Sequence, residues 1–291
     1  MIYRVRHVTR YAYENAVDLA AHMLHLRPRA LAGQALGRVG LLAAPTPERV
    51  VEGSDHFGNA VTWLFLERAH ADFTVALEAE VTVGFAPPPP PEATLAWEEV
   101  VALAAAGGPV SWAAAEFIHP SPMAESTQGV IAWAAPCFPP GRPVLAGLLA
   151  LNAQFRRDFA FRPGVTHLAT TPAEILRRRE GVCQDFSHLM IAALRGLGLP
   201  ARYVSGYLRT RPPPGGTRRQ GADQSHAWVA AWMGPEAGWV MLDPTNDLVV
   251  RDEHVVLGWG RDYGDVSPVR GVILGGGAHR VAVSVELEAL E

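Results

Sequence analysis

Five consecutive prolines, Pro87 to Pro91, divide this chain more sharply than any other feature. Proline has no backbone N–H and a fixed φ, so such a run is stiff and extended and cannot lie inside a helix or a central strand. The residues on either side of the run must build regular structure separately. The 291 residues are enough for two domains at roughly 100–200 residues each. We expect an N-terminal β domain over residues 1–90 and a second domain over 91–291, with its core at about 145–271.

Before the prolines the pattern is β. Tyr3, Val5, His7, Thr9, Tyr11 and Tyr13 alternate with Arg4, Arg6 and Arg10, the period of two of a half-buried strand. Phe73, Val75, Leu77, Ala79, Val81, Val83 and Phe85 repeat it, with Glu78 and Glu80 on the opposite face. Between them, Ala60 to Leu66 reads as a buried strand after the turn-forming Asp55-His56-Phe57-Gly58-Asn59. An antiparallel sheet or small sandwich is expected.

After the prolines, helix formers dominate at Leu95 to Ala106, Gly129 to Ala135 and Leu145 to Phe155. Thr171-Pro172-Ala173-Glu174 is a helix start, with Thr171 as N-cap and Glu174 placed for a capping box. That helix should end by Gly181, and a second should open at Cys183. Phe186, Leu189, Met190, Ala193, Leu194 and Leu197 then recur at helical spacing, and Gly196, Gly198 and Pro200 stop the pattern. Strands are expected at 201–208, 225–233 and 238–244. A loop at Pro212 to Gly221 precedes the second of these, and a turn at Gly234 to Glu236 precedes the third. Val281, Val283, Val285 and Leu287 alternate into a final strand.

Net charge is −4, which gives no electrostatic ground for nucleic acid or an anionic membrane as partner. The N-terminus lacks the apolar core of a signal peptide, and no stretch approaches the ~18 apolar residues of a membrane span. Two cysteines, Cys137 and Cys183, make neither a metal-binding spacing nor a disulfide framework. A soluble cytoplasmic protein without metal or cofactor is expected. Every basic residue is Arg, so the chain has no lysine to offer as an amine acceptor.

Chemistry concentrates in three residues. Cys183 opens a helix, where free N–H groups and the helix dipole favour negative charge, and the thiolate is the nucleophilic form. Alone, it reads equally well as a buried structural cysteine. His226 stands at the start of a strand and Asp243 at the end of the next; alone, each would be an ordinary strand or turn residue. A hairpin around Gly234 to Glu236 sets position 226 opposite about 244, so Asp243 becomes a neighbour of His226. A carboxylate can then hold one imidazole nitrogen while the other faces a thiol, the logic of nucleophile, base and orienter.

The segments GVCQDFSH, LGLPARYVSGYL, SHAWV and GWVMLDPTND resemble the catalytic core of bacterial transglutaminase-like proteins. The first 85 residues, with VRHVTRYAY and DHFGN, resemble the β region that accompanies that core. The resemblance implies an α+β, papain-like fold with Cys183 on a helix and His226 and Asp243 on an antiparallel sheet. It also implies acyl transfer from a peptide or protein amide through a thioester, the acceptor being water or an amine. The alternative is a non-catalytic binding or assembly module on the same fold; an arylamine-acetyltransferase-like enzyme lacks a coenzyme A signature here.

Neighbouring residues carry similar alternatives. Gln184 and Asp185 could line the site or cap the helix, and capping is expected. The backbone N–H of Cys183 is expected to serve as an oxyanion donor. Trp228 and Trp239 suit a core role at least as well as a cleft wall. Cys137 and His188 are expected to be structural, and Arg177-Arg178-Arg179 a solvated helix face.

Overall fold

The computed structural model describes residues 1–109, 111–209 and 225–290; the loop expected at Pro212 to Gly221 lies outside them. The chain begins with β1 (Ile2–Leu24), β2 (Gln34–Ala44), β3 (Arg49–Ser54), β4 (Ala60–Leu66) and β5 (His70–Val83). The proline run leads to α1 (Trp97–Ala106), α2 (Trp112–Ala115), α3 (Gln128–Ala134) and α4 (Val144–Asp158). Then come β6 (Ala160–Phe161), α5 (Pro172–Arg178), β7 (Glu180–Gly181) and α6 (Cys183–Gly196). Next are strands β8 (Ala201–Leu208), β9 (Ser225–Trp232), β10 (Trp239–Asp243), β11 (Leu248–Val249) and β12 (His254–Gly260). The chain ends with α7 (Tyr263–Val266), β13 (Val269–Gly275) and β14 (His279–Leu290).

The first sheet is built around β1. One side of this 23-residue strand pairs with β5 and then β4, the other with β14 and then β13, and β2 and β3 add outside β5 and β4. The final strand therefore returns to the N-terminal sheet rather than to the region after the prolines, where a division at residue 90 would put it. A period of two announces a strand but not its partner. The turn before β4 is set by Asp55, whose Oδ1 accepts from the N–H groups of Phe57 (2.9 Å) and Asn59 (2.8 Å).

The second sheet runs β11-β10-β9-β8-β12, all antiparallel. Alternation along β9 divides its side chains between two cores. Ala227, Val229 and Ala231 join the helices around α6, with Leu189, Met190, Ala193 and Leu148. Trp228 and Ala230 join the inner face of the first sheet, with Tyr3, Val5 and Leu77. The layers are thus sheet, sheet and helices, with α6 nearly enclosed. Each buried Leu or Met there contributes on the order of 2 kcal/mol.

The capping box of α5 forms as expected, with Thr171 accepting from Glu174 N and Glu174 accepting from Thr171 N. The helix stops earlier than Gly181. Arg179 turns left-handed at φ 60°, and Glu180 and Gly181 form β7, parallel to β6. Among the described residues no helix is long and apolar enough to cross a membrane.

Candidate active site

Cys183 is the first residue of α6, directly after the extended Val182. Asp185 does the capping: its Oδ2 accepts from Val182 N (2.8 Å) and from the Thr166 hydroxyl (2.7 Å). The chain can pass this close only because residue 181 is glycine; a Cβ there would stand 2.9 Å from Asp185 Oδ2. With Asp185 turned back, Gln184 is left to line the cavity beside Cys183.

His226 is the second residue of β9, opposite Gly206 of β8. It shares a strand face with Trp228, the face turned to the first sheet. Trp228 itself is fully buried and so belongs to the core. Trp232 pairs with Trp239 and Val229 with Leu242, one residue on from the register expected for the hairpin, and Asp243 lies within reach of His226.

Asp243 is fully buried and accepts five hydrogen bonds. Its Oδ1 takes the N–H groups of Thr245 (3.0 Å) and Asn246 (3.2 Å). Its Oδ2 takes Asn246 Nδ2 (2.6 Å), His226 Nε2 (2.8 Å) and His254 Nε2 (3.1 Å). An ionised carboxylate only accepts, so both imidazoles present Nε2–H, and the Nδ1 of His226 is left for the thiol.

Burial alone would raise the Asp243 carboxyl, but the bonds from His226 and His254 overcome it and hold it well below the usual carboxylate range. Burial alone would lower His226; its bonds to Asp243 and to the Cys183 thiol prevail, and the imidazolium is favoured. His226, Asp243 and His254 also bring three possible metal-ligand atoms within 4.8 Å of one another. The five donors on Asp243 already engage both its oxygens, and a cation there would have to displace them.

Cys183 and His226 open into one cavity of about 300 Å³. Tyr203 lines it from the second sheet, His7, Thr9 and Tyr11 from β1, and Val281 and Val283 from β14. His7 is a second histidine in this space, but its ring is fully engaged. Nδ1 meets Tyr207 Oη at 2.8 Å and Nε2 meets Thr9 Oγ1 at 2.9 Å, and burial pushes the group down to about 4. It stays neutral and has no nitrogen free to act as a base.

The three residues singled out in the sequence therefore meet, and others join that were not foreseen. His254 was hidden in an apolar run, and its signal is one polar residue opening the otherwise buried strand β12. His7 and Thr9 had a clearer one, being polar side chains on the face of β1 that also carries Val5 and Tyr3. The residues expected to be structural are so placed. His188 is buried and accepts from Tyr263 N (3.2 Å), and Cys137 is buried with its thiol on Gln154 Oε1 (2.9 Å). Trp239 lies beneath the Arg202 guanidinium, 3.6 Å from the ring centre.

A family model for the transglutaminase-like superfamily matches residues 132–244, and one for the bacterial transglutaminase-like N-terminal region matches residues 3–82. An uncharacterised protein of Mycobacterium bovis is 39% identical over 99% of this chain and 93% of its own length. A protein-glutamine gamma-glutamyltransferase of Pseudomonas aeruginosa is 33% identical over 34% of this chain and 15% of its own length. Among solved structures, a protein of Cytophaga hutchinsonii described as a suspected cysteine protease superposes with a TM-score of 0.76. It covers 100% of this chain and 91% of its own at 21% identity, so the likeness concerns the fold.

Proposed function

Since the chain belongs to the transglutaminase-like superfamily, we propose that it is a cysteine-nucleophile acyl-transfer enzyme acting on amide or peptide bonds. The observation that carries this is the line of contacts from Asp243 through His226 to Cys183 at the head of α6, ending in an open cavity.

In this mechanism Cys183 Sγ attacks the amide carbonyl carbon, and the C=O π electrons move to oxygen. The thiol proton passes to His226 Nδ1, giving the thiolate and the imidazolium that the site favours, and His226 delivers it to the leaving amine as the C–N bond breaks. Asp243 holds the ring by Nε2 and stabilises its charged form. The resulting thioester is attacked by water or an amine, whose proton returns through His226, and the thiol is restored. The Cys183 N–H would stabilise the oxyanion, with the Tyr203 hydroxyl as second donor. Burial, and after it the neighbouring Cys183, push Tyr203 well above its ordinary value, so the phenol remains a donor.

Hydrolysis is favoured over cross-linking. Among the described residues no carboxylate lines the cavity to select an ammonium-bearing acceptor such as lysine, and water is always present. The test is acetylation by p-nitrophenyl acetate followed by intact mass measurement. An acetyl group on Cys183 that hydroxylamine removes supports a thioester. A folded protein that never acylates at Cys183 returns the fold to a binding module.

A further inference from the structure

One wall of the cavity comes from β14, a strand at the rim of the first sheet. β14 pairs with β1 on one side, and among the described residues no strand pairs with its other side. The phase of its hydrogen bonds is set by the register. Tyr13 stands opposite His279, so Glu14 stands opposite Ala278, and Glu14 N donates to Ala278 O at 2.8 Å. Bonded and non-bonded pairs alternate along an antiparallel ladder. Tyr13–His279, Tyr11–Val281 and Thr9–Val283 are therefore non-bonded pairs. The N–H and C=O groups of His279, Val281 and Val283 point away from β1, toward the open side. The far side of β1 agrees: Val83 N donates to Met1 O, so the odd-numbered residues of β1 turn their backbone groups to β5.

Two of these outward-facing residues, Val281 and Val283, also line the cavity that holds Cys183 and His226. Their exposures are 49% and 55%, whereas Val285 and Leu287 further along the same face are buried. The side chains of this face are thus exposed at Val281 and Val283, where the strand runs along the cavity. An unpaired edge is a template for an added strand, and main-chain bonds in that mode give affinity independent of sequence.

We propose that the acyl donor is an extended polypeptide segment that pairs with the open edge of β14 at Val281 and Val283, carrying its scissile carbonyl past Cys183. The proposal rests on the acyl-transfer function above and adds the substrate class and its mode of binding. A second copy of this chain is a poorer occupant, because a strand added by another folded molecule would cover the cavity mouth.

The test compares the rates at which Cys183 is alkylated by acetyl-tetraalanyl chloromethyl ketone, by acetyl-alanyl chloromethyl ketone and by iodoacetamide. The longer ketone should react at least about tenfold faster than the shorter, the worth of one or two net hydrogen bonds. Methylating the peptide amides one at a time should abolish that gain at alternate positions only. Val283→Pro removes an outward N–H without touching the β1 ladder, a position where an edge strand tolerates proline. It should lose the gain, while Val283→Ala keeps it. Equal rates for the two ketones, or a loss at every methylated position, would overturn the pairing while normal iodoacetamide labelling leaves the thiol chemistry standing. No labelling of Cys183 by iodoacetamide would instead overturn the catalytic function. Sedimentation showing a dimer that protects β14 would overturn the proposal in favour of a second copy.

Discussion

His226 and His254 meet on one oxygen: both Nε2 atoms bond to Oδ2 of Asp243, at 2.8 and 3.1 Å. In the proposed mechanism the orienting carboxylate is thus itself oriented, by a histidine from β12 outside the three proposed catalytic residues. A carboxylate held from several sides fixes the imidazole direction more tightly than one held by the imidazole alone.

Removing that support should be felt at the thiol. His254→Ala leaves His226 and Cys183 in place but frees one side of Asp243. We expect about a tenfold fall in acylation rate, and a stability loss of about 2 kcal/mol for a buried hydrogen bond to a charged group. Stopped-flow acylation and denaturant melts measure the two separately.

Replacement of the three central residues should be unequal. Cys183→Ala removes the proposed nucleophile and should be inert yet folded, and His226→Ala should be nearly as inactive. Asp243→Asn should retain a remnant, losing roughly 10²–10³ in turnover. Its stability should also fall, because all five groups around Asp243 are donors. The new NH₂ group must face at least one of them, at about 1–3 kcal/mol for each group left unsatisfied. Turnover with thermal melts for each variant checks both; an active, folded Cys183→Ala would end the mechanism.

The pH dependence of stability has a definite sign. The folded His226 titrates above its ordinary value, so its contribution is complete below about pH 6.5 and fades as pH rises through the raised value. Asp243 is the mirror image: its contribution is present above about pH 3.9 and lost as pH falls through the depressed value. The melting difference between wild type and His226→Ala should therefore be largest near about pH 6 and narrow in strongly alkaline solution. A difference that widens with pH would contradict the assigned charge.

The two thiols should separate clearly. Burial pushes Cys137 up, and its thiol is spent on Gln154, whereas Cys183 opens into the cavity. Alkylation at about pH 7 and subsequent peptide mapping should find Cys183 modified at least about tenfold faster. Equal rates would argue against the assignment.

Glycine 206 carries a prediction about packing. A Cβ there would meet Val255 O at 2.0 Å and the Trp228 ring at 2.4 Å. Gly206→Ala must push β12 or Trp228 aside, and Gly206 stands opposite His226. We expect a stability loss of at least about 1–3 kcal/mol, with slower acylation from a displaced histidine.

Much of this was legible in the sequence because it is local. The start of α6 at Cys183, the capping box at Thr171, and strands β8, β9 and β10 arise from periodicity and capping chemistry that act within a few residues. The Asp243–His226 contact was reachable because a short turn fixes the hairpin register. Strand β12 escaped because its apolar run is buried on both faces and shows no alternation, and His254 went with it. The walls given by His7, Thr9, Val281 and Val283 escaped for another reason. They depend on which strands pair across hundreds of residues, and nothing local encodes that.

That pairing has a consequence for how the molecule comes into being. Ile2 stands opposite Leu290, and Tyr11 opposite Val281, so β1 must wait for β14, more than 250 residues later in the chain. Such non-local closure makes folding slow and leaves β1 with an unsatisfied side during synthesis. A chain made only as far as β12 can build α6 and its helices, yet the compartment around Cys183 lacks the wall that Val281 and Val283 supply. Cys183, as the proposed nucleophile, would meet substrates productively only once β14 has docked on β1, which probe labelling of chains ending before and after β14 can measure.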